Sequence, residues 1–433
     1  MLHIMKIRLK NIGIINDSQI EINGLTVIAG ENSTGKSTFG KALYATVNAL
    51  HDFDKHLEED KYGLIFNVML SLLIKHKETE DLFSDTRRFV DKLREKTLSR
   101  ERICSTFKEF TEHLGLSADE ADSAIQKISK ILLLEDDAIR NNVILGSLRS
   151  EFGADIQNIF QLPKEAKIEL TVSDSTTTVT LEDNKVTSVL GVQKLDIQPI
   201  YLDDKVLLLL GDRRIQHFNN DHASDVLDLV YPRRVSSAED TDDERSVSQV
   251  IRSMLRTELI EPALEKLSEI CHGKLDIGKD GLVFRDESNS KIKFSMTNLS
   301  SGLKVFLVLQ KLVMNGGLKE RATLILDEPE IHLHPAWQVI FAELLVILQK
   351  AMGLHILITS HSPYFVSALD VFSKKYSVID QNKYYFAKKV DDSNVELEDV
   401  TQKIRVIYDS MARPYQTIED VASELPDEVS RRV

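Results

Sequence analysis

Nine consecutive residues, Gly30-Glu31-Asn32-Ser33-Thr34-Gly35-Lys36-Ser37-Thr38, constrain this chain more than any others. They form a complete G-x-x-x-x-G-K-[ST] phosphate loop, which has meaning only between a strand and a helix. Both are legible here. Leu25 to Ala29 is a short apolar run of buried-strand type, and Thr38 to Leu50 repeats Phe39, Leu43, Val47 and Leu50 on one helical face. Glycines at 30 and 35 let the backbone curl so that its N–H groups converge on phosphate, with the positive end of the helix dipole behind them. Gly30 and Asn32 through Thr38 are therefore the expected triphosphate cradle. Lys36 is expected on the β- and γ-phosphates, and the Ser37 hydroxyl on Mg²⁺.

The far half of such a site needs carboxylates at the tip of a second buried strand, and Thr323-Leu324-Ile325-Leu326-Asp327-Glu328 supplies two. Asp327 is expected to hold Mg²⁺, commonly through water because magnesium gives up its hydration reluctantly. Glu328 is then free to orient and polarise the attacking water. A third apolar run, Leu354 to Thr359, ends in Ser360-His361-Ser362-Pro363, placing a histidine where ligands bind in open α/β sheets. Between the two runs lie His332 and His334, read as part of a loop lining the nucleotide interface in preference to a metal pair. Upstream, Asn298-Leu299-Ser300-Ser301-Gly302 opens a helical pattern with hydroxyl and backbone donors.

With 433 residues the chain can bury a large core and accommodate an insertion. Its 54 basic and 68 acidic side chains give a net charge of −14, so composition carries no argument for nucleic-acid binding and leaves only a local basic patch open. Cys104 and Cys271 lie far apart, without C-x-x-C spacing, and fit a reducing cytoplasm. Met1 to Ile15 alternates Lys6, Arg8 and Lys10 with apolar residues and reads as a strand, not a signal segment. No uninterrupted apolar run reaches the roughly 18 residues of a membrane span.

In order, residues 3 to 29 predict three short strands with a turn at Asn23-Gly24. From His51 to about Phe160 the pattern turns helical and charge-rich. Leu82, Phe89, Val90, Leu93, Ile103, Phe107, Phe110 and Leu114 recur at helical spacing, and Ser117 with Glu120 forms a capping box. Lys167 to Asp203 switches to period two, with a turn at Asp183-Asn184. Ser236 to Ser246, with five carboxylates, reads as an exposed acidic linker. Leu275 to Ile277 against Leu282 to Phe284 predicts a hairpin turning at Lys279-Asp280-Gly281.

The ordered set of Gly30 to Thr38, Leu299 to Gly302, Leu326 to Pro329, His332 to Pro335 and Thr359 to Pro363 resembles the ATP-binding-cassette ATPases. Within them it resembles the branch shared by structural-maintenance-of-chromosomes proteins and the overcoming-lysogenization-defect (OLD) family. The D-E-P-E-x-H-L-H-P and T-S-H-S-P strings are most similar to the anti-phage ATPase subunits of the PtuA and AriA type. The resemblance implies an α/β ABC-ATPase head, a mixed β-sheet with a phosphate-loop core, at residues 1–50 and 165–375. It leaves a helical insertion at 51–164 and a C-terminal tail subdomain at 376–433.

It further implies ATP and Mg²⁺ as cofactors, Ser300, Ser301 and Gly302 as the signature motif acting across a homodimer or higher oligomer, Glu328 as catalytic base and His361 as switch histidine. Ser301 stands where transporter cassettes have glycine, and Gln193 and Gln198 are both candidates for the Q-loop, with Asp203 and Asp204 nearby. OLD nucleases carry a C-terminal Toprim domain with a D-x-D pair, and no D-x-D follows Pro363. The expectation is a cytoplasmic, membrane-free ATPase that senses or scaffolds and controls a separate effector such as a nuclease. The competing expectation is an SMC-type ATPase of DNA maintenance. The apolar surplus of the insertion, with the tail from Lys374, is expected to dock the effector or build oligomers.

Overall fold

The computed structural model describes residues 4–51, 53–76, 82–94, 100–111, 117–132, 136–161, 164–196, 198–209, 222–230, 261–262, 265–267, 271, 273–277, 282–286 and 293–423. The acidic segment 236–246, the predicted turn at 279–281, and Leu114 lie outside them. In chain order the elements are strands β1 (Met5–Ile12), β2 (Ile15–Ile22) and β3 (Leu25–Gly30), then helices α1 (Lys36–Leu50), α2 (Phe53–His76), α3 (Leu82–Arg94), α4 (Arg100–Thr111), α5 (Ala118–Leu132) and α6 (Asp136–Phe152). Strands β4 (Ala166–Val172), β5 (Ser175–Glu182), β6 (Lys185–Leu190) and β7 (Ile200–Leu202) follow, with α7 (Asp204–Leu209) and α8 (His222–Val230). Next come β8 (Gly273–Ile277), β9 (Leu282–Asp286), β10 (Lys293–Ser295) and α9 (Ser301–Met314). The chain continues through β11 (Thr323–Asp327), α10 (Pro335–Met352), β12 (His355–Ser360), α11 (Pro363–Lys375), β13 (Lys383–Asp391), β14 (Asn394–Asp399) and α12 (Arg405–Ser423).

Eleven strands form one mixed sheet in the order β6-β5-β4-β1-β2-β14-β13-β3-β12-β11-β7. From β13 to β7 the pairing is parallel, whereas β1 with β2, β4, β5 and β6 makes an antiparallel wing. The parallel strands are buried on both faces, as their unbroken apolar runs require: every residue of β3 and β12 is buried. Register does the rest. Ile28 stands opposite Thr359, Thr359 opposite Asp327, and Leu326 opposite Leu202, so the phosphate loop, the acidic pair and the His361 loop leave the sheet at one level.

Helices on the sheet start and stop where local chemistry dictates. Ser300 caps α9 by accepting from Leu303 N at 3.4 Å. His334 and Ser362 cap α10 and α11, each followed by proline at the first helical position. Gly353 closes α10 in the left-handed region with φ of 62°. Among the described residues α10 alone is long and apolar enough to cross a membrane, and 61% of it is buried inside the protein. Phe341 on α10 packs edge-on against Phe306 of α9, with centroids 5.2 Å apart.

The chain divides into two compact units, residues 1–51 with 147–433, and residues 52–146. In the smaller unit Phe89, Val90, Leu93 and Phe107 join Ile65, Met69 and Ile128 in a core of their own. The capping box forms there: Ser117 Oγ accepts from Glu120 N at 3.3 Å and the Glu120 carboxylate accepts from Ser117 N at 3.2 Å. Two boundaries differ from the sequence reading. Residues 147–164 belong with the larger unit, because the Ser147 hydroxyl donates to Ala45 O of α1 at 2.8 Å and Gln157 bridges Ile12 of β1. The segment from 376, read as a tail subdomain, instead inserts β14 and β13 between β2 and β3. There Val27, Ile28 and Ala29 need a second parallel neighbour to pair their backbone.

Candidate functional site

The phosphate loop is closed by its own backbone. Thr34 Oγ1 donates to Glu31 O at 2.8 Å, and Ser33 and Gly35 take positive φ of 60° and 69°. At Gly35 this is compulsory, since a Cβ there would stand 2.9 Å from side-chain carbons of both Ile14 and Ile15. Helix α1 begins at Lys36, two residues earlier than the apolar period indicates, so its first N–H groups belong to the loop. Lys36 is 4% exposed, and its ammonium donates to the carbonyls of Gly30 at 3.1 Å and Glu31 at 2.7 Å. A third oxygen, Glu328 Oε1, lies 3.5 Å away.

Asp327, at the end of β11, receives hydroxyls from three elements. Ser37 Oγ donates to Oδ1 at 2.9 Å, Thr359 Oγ1 donates to the same oxygen, and Tyr201 Oη donates to Oδ2 at 3.3 Å. Burial pushes this carboxyl above its usual range, the Thr359 and Ser37 hydroxyls opposing it. Two oxygen donors 2.9 Å apart, from Ser37 and Asp327, fit a hard divalent cation. Among the described residues no group of three or more His, Cys, Asp or Glu could hold a metal.

Glu328 adopts φ of 48°, unusual for a residue with a Cβ, and the turn is held by its N–H, which donates to Thr359 O at 3.2 Å and Thr359 Oγ1 at 3.0 Å. That turn aims its carboxylate between Lys36 and His361, whose Nδ1 lies 3.4 Å from Oε2. His361 is fixed in turn by Glu330, which is 1% exposed and whose Oε1 accepts from Ser360 Oγ at 2.5 Å and His361 N at 3.1 Å. Gln338 pins the next residue, accepting from Ser362 Oγ at 2.6 Å.

The structure thus gathers Lys36, Ser37, Asp327, Glu328 and His361 at one edge of the sheet. No hydrogen bond or ion pair joins Ser300, Ser301 or Gly302 to that group among the described residues. Gly302 instead packs on the following loop, where a Cβ would meet His332 O at 2.8 Å. The two histidines of that loop serve different ends: His332 Nε2 sits 3.0 Å from Asp204 Oδ1, and His334 Nδ1 accepts from Ala336 N at 3.3 Å. Asn32 is exposed at the loop crest, and Thr38 N donates to Gly35 O at 3.1 Å.

Sequence reasoning missed a buried cluster behind Asp327. Tyr201 and His222 pack ring to ring, tilted by 34° with centroids 4.5 Å apart, and the Tyr44 ring lies 5.9 Å from that of Tyr201. His222 Nδ1 makes a hydrogen bond of 2.7 Å with Glu151 Oε2, and its Nε2 is 3.1 Å from Asp203 Oδ1. Burial alone would lower the His222 pKa, but Asp203 and Glu151 outweigh it and raise it to about 9. Gln198, one of the two Q-loop candidates, contacts Asp225, which also accepts from Tyr44 Oη. Glu151, Tyr201 and His222 come from three separate elements, so no local spacing could have signalled them.

A phosphate loop, an acid-tipped parallel strand one position removed, and a histidine on the strand between them define an ABC-type P-loop ATPase. Residues 25–367 match the family model AAA_21, described as "AAA domain, putative AbiEii toxin, Type IV TA system", and the chain belongs to that family. No curated protein matches it. Similar solved structures include the SMC head bound to the C-winged helix domain of ScpA (11% identity, 93% of this chain and 99% of that one, TM-score 0.44). They also include the SMC head domain from Thermotoga maritima (12%, 92% and 98%, 0.39) and an SMC head with extended coiled coil bound to the ScpA C-terminal domain from Pyrococcus furiosus (11%, 94% and 99%, 0.45).

Proposed function

We propose that this chain binds ATP with Mg²⁺, hydrolyses it to ADP and phosphate, and closes head-to-tail on a second copy, acting as a cytoplasmic sensor or scaffold that controls a separate effector in anti-phage defence. The observation that carries the catalytic part is the convergence of Lys36 and His361 on Glu328, within 3.5 Å and 3.4 Å, beside the Ser37–Asp327 pair. Lys36 neutralises phosphate charge, Ser37 and Asp327 seat the metal, and Glu328 takes the proton of the attacking water. The metal, when bound, supplies charge neutralisation at the transferring phosphoryl group. His361, with its backbone fixed by Glu330, is placed to donate to a γ-phosphate. Ser300, Ser301 and Gly302 lie outside this cluster, which favours their use by a second copy in trans.

The defence role is supported by the D-E-P-E-x-H-L-H-P string and by a family description that names a toxin of a toxin–antitoxin system. Effector docking is assigned to residues 52–146 and to the far end of α12, where Ile418 and Val421 are 64% and 56% exposed.

Mixing inactive Lys36→Ala and inactive Ser301→Arg proteins tests the assembly, because each mixed dimer contains one composite site with both residues intact. ATPase activity should return on mixing; verified mixed dimers without activity exclude the trans arrangement. Replacing residues 53–144 by a Gly-Ser linker should leave ATP binding and abolish effector co-purification, and retained co-purification would sink the docking assignment. Turnover stimulated by DNA, with no co-purifying protein, would favour the chromosome-maintenance alternative.

A further inference from the structure

Asp327 has one face toward the phosphate loop and one toward the buried cluster behind it. The first carries Ser37 and Thr359 on Oδ1; the second, among the described residues, carries Tyr201 on Oδ2. Tyr201 is fully buried on β7, and its ring packs at a tilt against His222, centroid to centroid 4.5 Å. His222 is itself held at both ring nitrogens, by Glu151 from the end of α6 and by Asp203 next to β7. Glu151 also accepts from His222 N at 3.1 Å, fixing the start of α8 with the same carboxylate.

Taking an imidazole and one carboxylate out of water, and a second carboxylate most of the way, is costly before their attraction is counted, and apolar side chains would fill the space at lower cost. What an apolar filling would not provide is a fixed hydroxyl on the second oxygen of Asp327. We infer that Tyr201 is a positioning residue for the metal-seating carboxylate, and that His222, clamped by Glu151 and Asp203, positions Tyr201 in turn. The inference rests on the ATPase reading above, and gives that site a second support that touches neither nucleotide nor metal. With Oδ2 held, the carboxylate plane is set before the ion arrives, and Oδ1 keeps its orientation toward Ser37. Without it, only the Ser37 and Thr359 hydroxyls on Oδ1 restrain the group, its second oxygen is unheld, and metal binding must supply more of the ordering.

Nucleotide binding by the full chain, followed with a fluorescent ATP analogue and titrated with Mg²⁺, separates this from a merely structural role. Tyr201→Phe keeps the ring on His222 and removes one hydroxyl. It should leave metal-free nucleotide binding and the melting temperature close to wild type, while the half-saturating Mg²⁺ concentration rises about tenfold. His222→Gln, which keeps a donor toward Glu151, should raise it by a smaller factor in the same direction, and serves if Tyr201→Phe does not fold. Superimposable Mg²⁺ curves for wild type and a folded variant, with or without a fall in melting temperature, overturn the inference. A wild-type protein whose nucleotide binding ignores Mg²⁺ overturns the ATPase reading instead.

Discussion

The front and the back of Asp327 are built on opposite principles. In front, Lys36, Glu328 and His361 follow strands that end at one level, and the Glu328 carboxylate lies 3.5 Å from the Lys36 ammonium and 3.4 Å from the His361 imidazole. Behind, Glu151, Tyr201 and His222 are locked between helices and an edge strand with almost no exposure. The front can exchange partners when a polyphosphate arrives, because the Lys36 ammonium rests on backbone carbonyls that lose little when it leaves. The back cannot: the Glu151 carboxylate and the His222 ring have no water to fall back on. One carboxylate therefore sits between a side suited to chemistry and a side suited to fixing geometry.

Mutations should sort along this division. The largest effect is expected from Glu328→Gln, which keeps the turn and removes the base. Turnover should fall by about 10²–10⁴-fold while ATP binding persists and the dimer accumulates, as read by phosphate release and by mass in solution. Hydrolysis at the wild-type rate would show that the base lies elsewhere. Lys36→Ala acts on binding itself, and ATP affinity should weaken by about 10²-fold in a calorimetric titration, the equivalent of one strong charge-assisted contact. Unchanged affinity would mean that the loop holds phosphate by its backbone alone.

Gly302→Ala tests the contact between the start of α9 and the loop after β11. Its new Cβ meets a backbone carbonyl at 2.8 Å, so the loop must move or the helix must tilt, at about 1–3 kcal/mol of stability. A wild-type denaturation midpoint and wild-type activity would show that the loop yields without consequence.

The smallest effect concerns the back alone. His222 has its pKa raised to about 9 by Glu151 and Asp203, above the unfolded value of about 6.5. A raised folded pKa contributes stability that is complete below the unfolded value and is lost as pH climbs through the folded one. The melting temperature of wild type should therefore exceed that of His222→Gln most near pH 6.5, and the gap should narrow toward pH 9. A gap that widens over that range would mean that His222 is not held as a cation.

Several parts of the architecture are readable without coordinates because they depend on neighbours in sequence. The phosphate loop needs glycines where φ is positive or the backbone is crowded, the capping box at Ser117 and Glu120 needs two side chains three residues apart, and buried parallel strands need unbroken apolar runs. The same logic locates β3, β11 and β12 and the residues that tip them. It fails at two places for a common reason. Residues 147–164 look like more of the helical insertion, and residues from 376 look like a tail, yet both pair with sheet residues more than a hundred positions away, Gln157 with Ile12 and β13 with β3. Glu330 was visible inside its motif, but its hold on Ser360 and His361 depends on two loops meeting.

What the sequence determined by itself is the chemistry of the front: a phosphate loop, two acids on a strand, a histidine on the next, and glycines wherever the backbone must bend or approach closely. These follow from covalent geometry and from periods of two and 3.6 residues, which act over a few positions. Only the tertiary structure decided the rest. Register between β3, β12, β11 and β7 set the separate strand ends level, and packing of α1, α6, β7 and α8 brought Tyr44, Glu151, Tyr201 and His222 together behind Asp327. Such meetings are fixed by burial and backbone pairing over the whole chain, and no spacing of residues along it encodes them.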